Sequence, residues 1–395
     1  MKGLGHVALT RRSALLGLTA AFTLGRASIA LGDAPTDNRL VVFLLRGALD
    51  GMSAVQPYGD ADFASLRGGL ALPGPGNPEG VLDLGGFYGL HPSLVNVHAM
   101  YSAGDALVLH AAAGHYRSRS HFEAQDYLES GVDQRLSSGW LNRAVSTMTP
   151  RGGQEIALSL GLSAPLVLRG PARVEAWAPE NFGQSPGEDF YTRLLRISAH
   201  DPVIGPALAE GMRQRGVSPD GGNGGPKQPQ EVTLAAAAGR LLASARGPRV
   251  AVLEMGGWDT HAAQLPRLKN QLKQLDDALG ALRANLGEAW GRTAVLCVTE
   301  FGRTARINGT KGTDHGTGGV AFLVGGAVAG GHVRADWPGL SEGKLFENRD
   351  LMPTADVRSI AKGLLADHLG LSQAGLETAF PGSGEAGPMR GLVRS

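Results

Sequence analysis

At 395 residues the chain can bury a large core, and an apolar content of 43% with 18% charged residues is that of a globular protein. Its 59 glycines follow no fixed period, which excludes a fibrous repeat, and the single cysteine, Cys297, excludes a disulfide framework and any multi-cysteine zinc site. The formal charge of +1 offers no basic field for nucleic acid.

The N-terminal stretch "TRRSALLGLTAAFTLGRASIA" carries paired arginines, Arg11 and Arg12, then a short apolar run, then small residues ending near Ala30. This is the layout of a twin-arginine export signal over residues 1–30, with the twin-arginine export machinery as partner. Arg26 breaks the apolar run, so no stable membrane span is expected. Cleavage after Ala30 removes Lys2, Arg11, Arg12 and Arg26 and no acidic residue, so the charge moves from +1 to −3. A periplasmic or cell-surface protein exported in folded form is the expectation.

Apolar, β-branched runs follow at Leu40 ("LVVFLLRG"), Ala106 ("ALVLHAAAG"), Pro165 ("PLVLRG"), Arg249 ("RVAVLEMGG"), Thr293 ("TAVLCVTEFG") and Gly319 ("GVAFLVGGAV"). Most are continuously apolar, which predicts strands covered on both faces. Cys297 falls inside the fifth run and reads as a buried, inert thiol. Between the runs, Leu265, Leu268, Leu272, Leu275, Leu279, Leu282 and Leu286 step by three and four, which predicts one helix with an apolar stripe. "DVRSIAKGLLADHLGL" reads as a closing helix. Strands alternating with helices predict an α/β fold with a mostly parallel sheet and helices on both faces. One domain over residues 38–380 is expected, with a mobile Gly- and Pro-rich loop near residues 215–232.

Ligands in parallel sheets bind at the carboxyl ends of the strands. Asp50 ends the first run, Asp259 and His261 follow the fourth, Glu300 and Arg303 end the fifth, and Asp314 and His315 precede the sixth. Carboxylates and imidazoles converging from separate strand ends suit a divalent metal, Zn, Mn or Mg, as one or two ions. In "HYRSRSHFEAQDYLESG", Ser120 followed by Glu123 reads as a capping box that opens a helix. The same helix start attracts anions, with Arg117 and Arg119 flanking it; Ser118 or Ser120 is then the candidate nucleophile, and His121 an acid/base or a ligand. His91, His98 and His110 read as structural.

The segments "LRGALDG", "YRSRSHFEAQDYLESG", "GGWDTH", "TEFGRTARINGTKGTDHG" and "GGHVRADWPGL" together resemble an exported sulfatase-like family of unknown function in the alkaline phosphatase superfamily. The resemblance implies an alkaline phosphatase-like three-layer α/β/α sandwich and metal-dependent cleavage of phosphate or sulfate esters, small or polymer-borne. It also implies that Asp50, Asp259, His261, Glu300 and His315, with Asp314 beside them, hold metal, and that Arg303 binds the anion. Phe301 stands where that superfamily has an imidazole, and no formylglycine-forming cysteine motif is present. A catalytically silent relative that binds an envelope polymer or a partner protein is the alternative.

Overall fold

The structure is a computed structural model that describes residues 37–134, 136–148, 156–179 and 229–394. The export signal over residues 1–30 and the loop over 215–228 lie outside the described residues. The chain divides into two units, Met1–Ala178 with Glu231–Ser395, and Pro179–Gln230; the sheet and the site below lie in the first.

The strands in chain order are β1 (Arg39–Leu45), β2 (Val55–Gln56), β3 (Leu82–Asp83), β4 (Gly89–Leu90), β5 (Ala106–Ala113), β6 (Ala157–Leu160) and β7 (Val174–Trp177). They continue with β8 (Val250–Met255), β9 (Thr293–Val298), β10 (Gly319–Val324), β11 (His332–Arg334) and β12 (Ala355–Asp356). Nine of them form the central sheet in the order β11-β5-β10-β9-β1-β8-β6-β7, with β12 also paired to β5. β7, β6, β8, β1 and β9 pair in parallel, as β5 does with β11 and β12. Only β10 runs against its neighbours, antiparallel to both β9 and β5. The mostly parallel α/β sheet expected from the sequence is therefore present. β2, β3 and β4 form a separate small sheet.

The helices used below are α1 (Gly51–Ala54), α2 (Phe63–Arg67), α3 (Val95–Ser102), α4 (His121–Ser130), α5 (Trp140–Thr147) and α6 (Gln230–Ala243), followed by α7 (Gln264–Leu286), α8 (Val357–Asp367) and α9 (Gln373–Ala379). Side chains alternate across a strand, so Leu40, Val42 and Leu44 of β1 share one face, where they join a core with α5, α8 and α9. Val41, Phe43 and Leu45, on the other face, are equally buried, which is why the run is apolar at every position. The stripe of α7 is buried from Leu268 to Leu286, and only Leu265 in its first turn stays exposed. α8 starts at an Asp356 cap, as the closing-helix pattern predicts.

Two expectations change. "PLVLRG" is not a strand: Leu166–Leu168 form a 3-10 turn, and the Val167 N–H donates to the Glu129 carboxylate at 2.9 Å rather than to a neighbouring strand. The strand beside β8 is instead β6, whose short run "ALSL" is interrupted by Ser159 and gives little signal. The expected loop near 215–232 also ends early, because Gln230 already begins α6. Among the described residues no helix is long and apolar enough to cross a membrane.

Candidate metal centre

Because β10 is reversed, its N-terminal end lies at the same sheet edge as the C-terminal ends of β1, β5, β8 and β9. Five connections therefore meet there: Arg46–Asp50 after β1, Gly114–Ser120 leading into α4, Gly256–Ala263 after β8, Thr299–Arg303 after β9, and Thr313–Gly318 before β10. Two glycines allow the loops to touch. Gly47 has φ +117, and a Cβ there would stand 2.7 Å from the Asp259 nitrogen; a Cβ on Gly312 would stand 2.3 Å from the His261 carbonyl oxygen.

The convergence is close. His315 Nε2 lies 2.9 Å from His121 Nε2 and 2.9 Å from His261 Nε2. Asp259 Oδ1 lies 3.0 Å from His261 Nε2, 3.4 Å from His315 Nε2 and 3.5 Å from His121 Nε2. The ligand atoms of His121, Asp259 and His315 fall within 4.8 Å of one another. A zinc ion bonded tetrahedrally at 2.0–2.1 Å would separate its ligand atoms by about 3.3 Å. The triangle of His121, His315 and Asp259, with edges of 2.9, 3.4 and 3.5 Å, fits one face of such a site.

Each ring is turned by its other nitrogen. His121 Nδ1 lies 2.7 Å from Glu300 Oε1, His261 Nδ1 lies 3.2 Å from Asp314 Oδ1, and His315 Nδ1 lies 3.0 Å from the Arg119 carbonyl oxygen. A carbonyl or carboxylate oxygen only accepts, so each Nδ1 carries a proton, which in a neutral ring leaves the lone pair on Nε2. Three Nε2 atoms then face one carboxylate oxygen.

The acceptors are themselves held. Glu300 Oε1 also accepts from the Gly47 N–H at 2.9 Å and from Gln125 Nε2 at 3.1 Å, while Thr299 Oγ1 donates to its Oε2 at 2.9 Å. Burial pushes the Glu300 carboxyl up, but its bonds to His121, Gln125 and the backbone hold it below the ordinary value. Asn308 and then His261 lower Asp314. The bond to Glu300 raises His121, whereas burial and then the charges of His121 and Arg303 lower His315. Arg303 Nη2 donates to Asp259 Oδ1 at 2.7 Å, and Arg303 Nε donates to the Ala48 carbonyl at 3.0 Å. Burial pushes Asp259 up, yet Arg303 keeps it below the ordinary carboxylate value.

The structure thus brings together His121, Asp259, His261, Arg303, His315, Glu300 and Asp314, but with changed roles. Glu300 and Asp314 hold ring nitrogens and supply no atom to the triangle. Asp50 is not in the cluster. It is buried, caps α1 through the Ser53 N–H at 3.2 Å, pairs with the buried Arg67 guanidinium and accepts from Gln264 Nε2 at 2.5 Å. Arg117 and Arg119 do not present free guanidinium groups: Arg117 donates to the Gly114 and Tyr116 carbonyls, and Arg119 to Asp350 and Glu347.

Ser120 stands at the N-cap of α4, yet its side chain makes no cap bond, and the Glu123 carboxylate accepts instead from the Tyr116 and Ser118 hydroxyls. The expected capping box is therefore not formed. Phe301 is a buried wall stacked on His121, with ring centroids 4.9 Å apart. His110 donates from Nε2 to the Val55 carbonyl at 2.9 Å and is lowered to about 4 by burial, consistent with a structural residue. Gln125, Asn308 and the Arg119 carbonyl had no distinguishing signal in the sequence.

Residues 111–378 match the family described as "Protein of unknown function (DUF1501)", and the chain belongs to that family. No curated protein matches it by sequence. Similar solved structures include a protein in the alkaline phosphatase superfamily from Vibrio parahaemolyticus, at 13% identity and TM-score 0.35, covering 80% of this chain and 69% of that one. The C-terminal periplasmic domain of EcEptC from Escherichia coli, in complex with Zn, is 8% identical with TM-score 0.35, over 75% of this chain and 76% of that one. The phosphonate monoester hydrolase of Agrobacterium radiobacter is 12% identical with TM-score 0.34, over 74% and 70%. All three are loose likenesses.

Two variants separate holders from ligands. Asp50→Asn leaves the Arg67 charge buried without its partner and is expected to lose about 3–5 kcal/mol in chemical denaturation while binding metal like the parent. Burial raises the Asp50 carboxyl but Arg67 lowers it further, so its net pKa is depressed in the fold. Its contribution is complete above the ordinary carboxylate range and is lost as pH falls through the depressed value. The stability gap between parent and Asp50→Asn should therefore narrow on acidification. Glu300→Gln is expected to keep the metal stoichiometry and weaken affinity roughly 10- to 100-fold in chelator competition, as a residue that orients a ligand does. Loss of stoichiometry would instead make Glu300 a ligand.

Proposed function

We propose that this protein is an exported metal-dependent hydrolase of phosphate or related sulfate esters, working at the periplasm or cell surface. The observation that carries the reading is the convergence of three imidazole Nε2 atoms on the Asp259 carboxylate, each ring anchored at Nδ1. Nε2 atoms 2.9 Å apart must share a proton or face a cation, and with every Nδ1 already anchored, neutral rings leave their Nε2 lone pairs for a cation.

In this reading His121, Asp259 and His315 hold one divalent ion, Zn, Mn or Mg, with His261 as a further nitrogen beside it. When bound, the ion supplies Lewis-acid charge for the ester oxygens. Arg303 is pinned by the Ala48 and Trp258 carbonyls, and its Nη1, 3.5 Å from His261 Nε2, is placed to donate to an anionic ester oxygen. Ser120, with its hydroxyl not used as a cap, is the candidate nucleophile at the start of α4. The substrate is a small or polymer-borne ester, and the mature charge of −3 suits no nucleic acid. A protein of this family that folds around the centre and does no chemistry is the outcome to test against.

Elemental analysis of protein purified without chelator is expected to find a stoichiometric divalent metal, absent from the His121→Ala, His315→Ala double variant. Metal-free parent protein, with stability indifferent to added Zn, Mn and Mg, would sink the reading. Aryl phosphate mono- and diesters and aryl sulfates, assayed with each ion, test the chemistry: turnover is expected in the parent and not in Asp259→Asn. Without a cap bond to lose, Ser120→Ala should cost less than the roughly 1 kcal/mol of a used cap. It should fold and bind metal like the parent but not turn over ester; parental turnover in this variant would remove Ser120 as nucleophile.

A further inference from the structure

We infer that Asp350 is a positioning residue of the metal centre: through Arg119 it fixes the acceptor that orients His315. The inference rests on the reading of His315 as a ligand, and Asp350 itself touches none of the ligand atoms.

Arg119 sits two residues before His121 with φ +60, the left-handed backbone that a long side chain adopts only under constraint. The constraint is visible. Arg119 Nε donates to Asp350 Oδ2 at 2.9 Å, and Arg119 Nη2 reaches Asp350 Oδ2 at 2.8 Å and Glu347 Oε2 at 2.5 Å. Asp350 is fully buried, so this fork is a strong tether on the segment that leads into α4.

The same carboxylate also holds the other side of the centre. Thr317 Oγ1, two residues beyond His315, donates to Asp350 Oδ2 at 2.8 Å. Among the described residues Asp350 Oδ1 has no hydrogen-bond partner; it faces Arg349 Nη1 at 3.6 Å, while Arg349 Nη2 donates to the His315 carbonyl at 2.6 Å. One buried carboxylate therefore joins the strand of chain before His121 to the loop that carries His315. Between the two segments, His121 Nε2 and His315 Nε2 meet at 2.9 Å.

The consequence is local to one proton. With Arg119 held left-handed, its carbonyl takes the His315 Nδ1–H at 3.0 Å. His315 differs from His121 and His261 in this respect, since its acceptor is a main-chain oxygen rather than a carboxylate. A main-chain acceptor is only as well placed as its backbone. Releasing Arg119 removes the acceptor, frees the ring to carry its proton on Nε2, and turns that nitrogen from one with a lone pair for a metal into an N–H hydrogen-bond donor.

The test uses the full chain labelled with 15N-histidine, first without metal. In the parent His315 is expected to show the Nδ1–H form; in Asp350→Asn and Arg119→Ala it is expected to shift toward the Nε2–H form. Zinc affinity, from chelator competition, should fall about tenfold or more in both variants, with a changed cobalt(II) absorption spectrum. Loss of the buried Asp350 charge can impair folding, so Arg119→Ala, at a side chain only 21% accessible but not buried, provides the second arm. A folded Arg119→Ala protein that keeps the Nδ1–H form of His315 overturns the inference, as does one with parental zinc affinity. If the parent binds no metal, the ligand reading fails, and the ring proton alone still decides whether Asp350 and Arg119 orient His315.

Discussion

Imidazole nitrogens that both carry lone pairs repel, and in this fold three Nε2 atoms are held at 3.0 to 3.5 Å around a single carboxylate oxygen, with neighbouring Nε2 atoms 2.9 Å apart. Each ring is oriented at its Nδ1 by an acceptor in a different part of the chain: Glu300, Asp314 and the Arg119 carbonyl. The anchors thus hold three Nε2 atoms together at one carboxylate, and an ion bound there would favour the folded chain over the unfolded one.

The sheet topology makes that arrangement reachable. His315 lies on the connection before β10, and β10 runs antiparallel to β9 and β5. Were β10 parallel to them, the connection before it would emerge at the opposite edge, a full strand length from Asp259. Reversal of one strand places His315, which comes before a strand, beside Asp259, which comes after one. The loops then stack with backbone touching backbone, which is why Gly312 sits where a Cβ would meet the His261 carbonyl oxygen at 2.3 Å.

Much of this was legible in the sequence, and the missing part has a common cause. Continuous apolar runs identified β1, β5, β8, β9 and β10, because strands covered on both faces must be apolar throughout. The four-residue β6, with Ser159 inside it, had no such signature. In the candidate site, strand ends followed by Asp259, His261, Asp314 and His315 marked residues that the fold brings together. Residue type and spacing do not give the direction of a side chain, however. Glu300 and Asp259 are both carboxylates after a strand, yet one meets an Nδ1 and the other an Nε2 of the same His121 ring. Asp50 looked equivalent to both until Arg67, seventeen positions away, claimed it in the fold. The Ser-x-x-Glu pattern failed for a similar reason, because the Tyr116 hydroxyl reached Glu123 from outside the pattern.

Arginines account for which carboxylates remain available to an ion. A buried carboxylate requires a partner, and Arg67 supplies one to Asp50 while Arg119 supplies one to Asp350. Both acids have almost no exposure, 1% and 0%; recruiting Asp50 to a metal would strand the buried Arg67 guanidinium, and recruiting Asp350 would break its pair with Arg119. Asp259 differs: its side chain is 46% exposed, although the Arg303 that bonds it is fully buried. Arg303 also keeps its bonds to the Ala48 and Trp258 carbonyls, so it stays in place whether or not Asp259 turns toward an ion. Solvent exposure and a shared partner let Asp259, like the 54% exposed Asp314, change its contacts at low cost, and it is around Asp259 that the three Nε2 atoms gather.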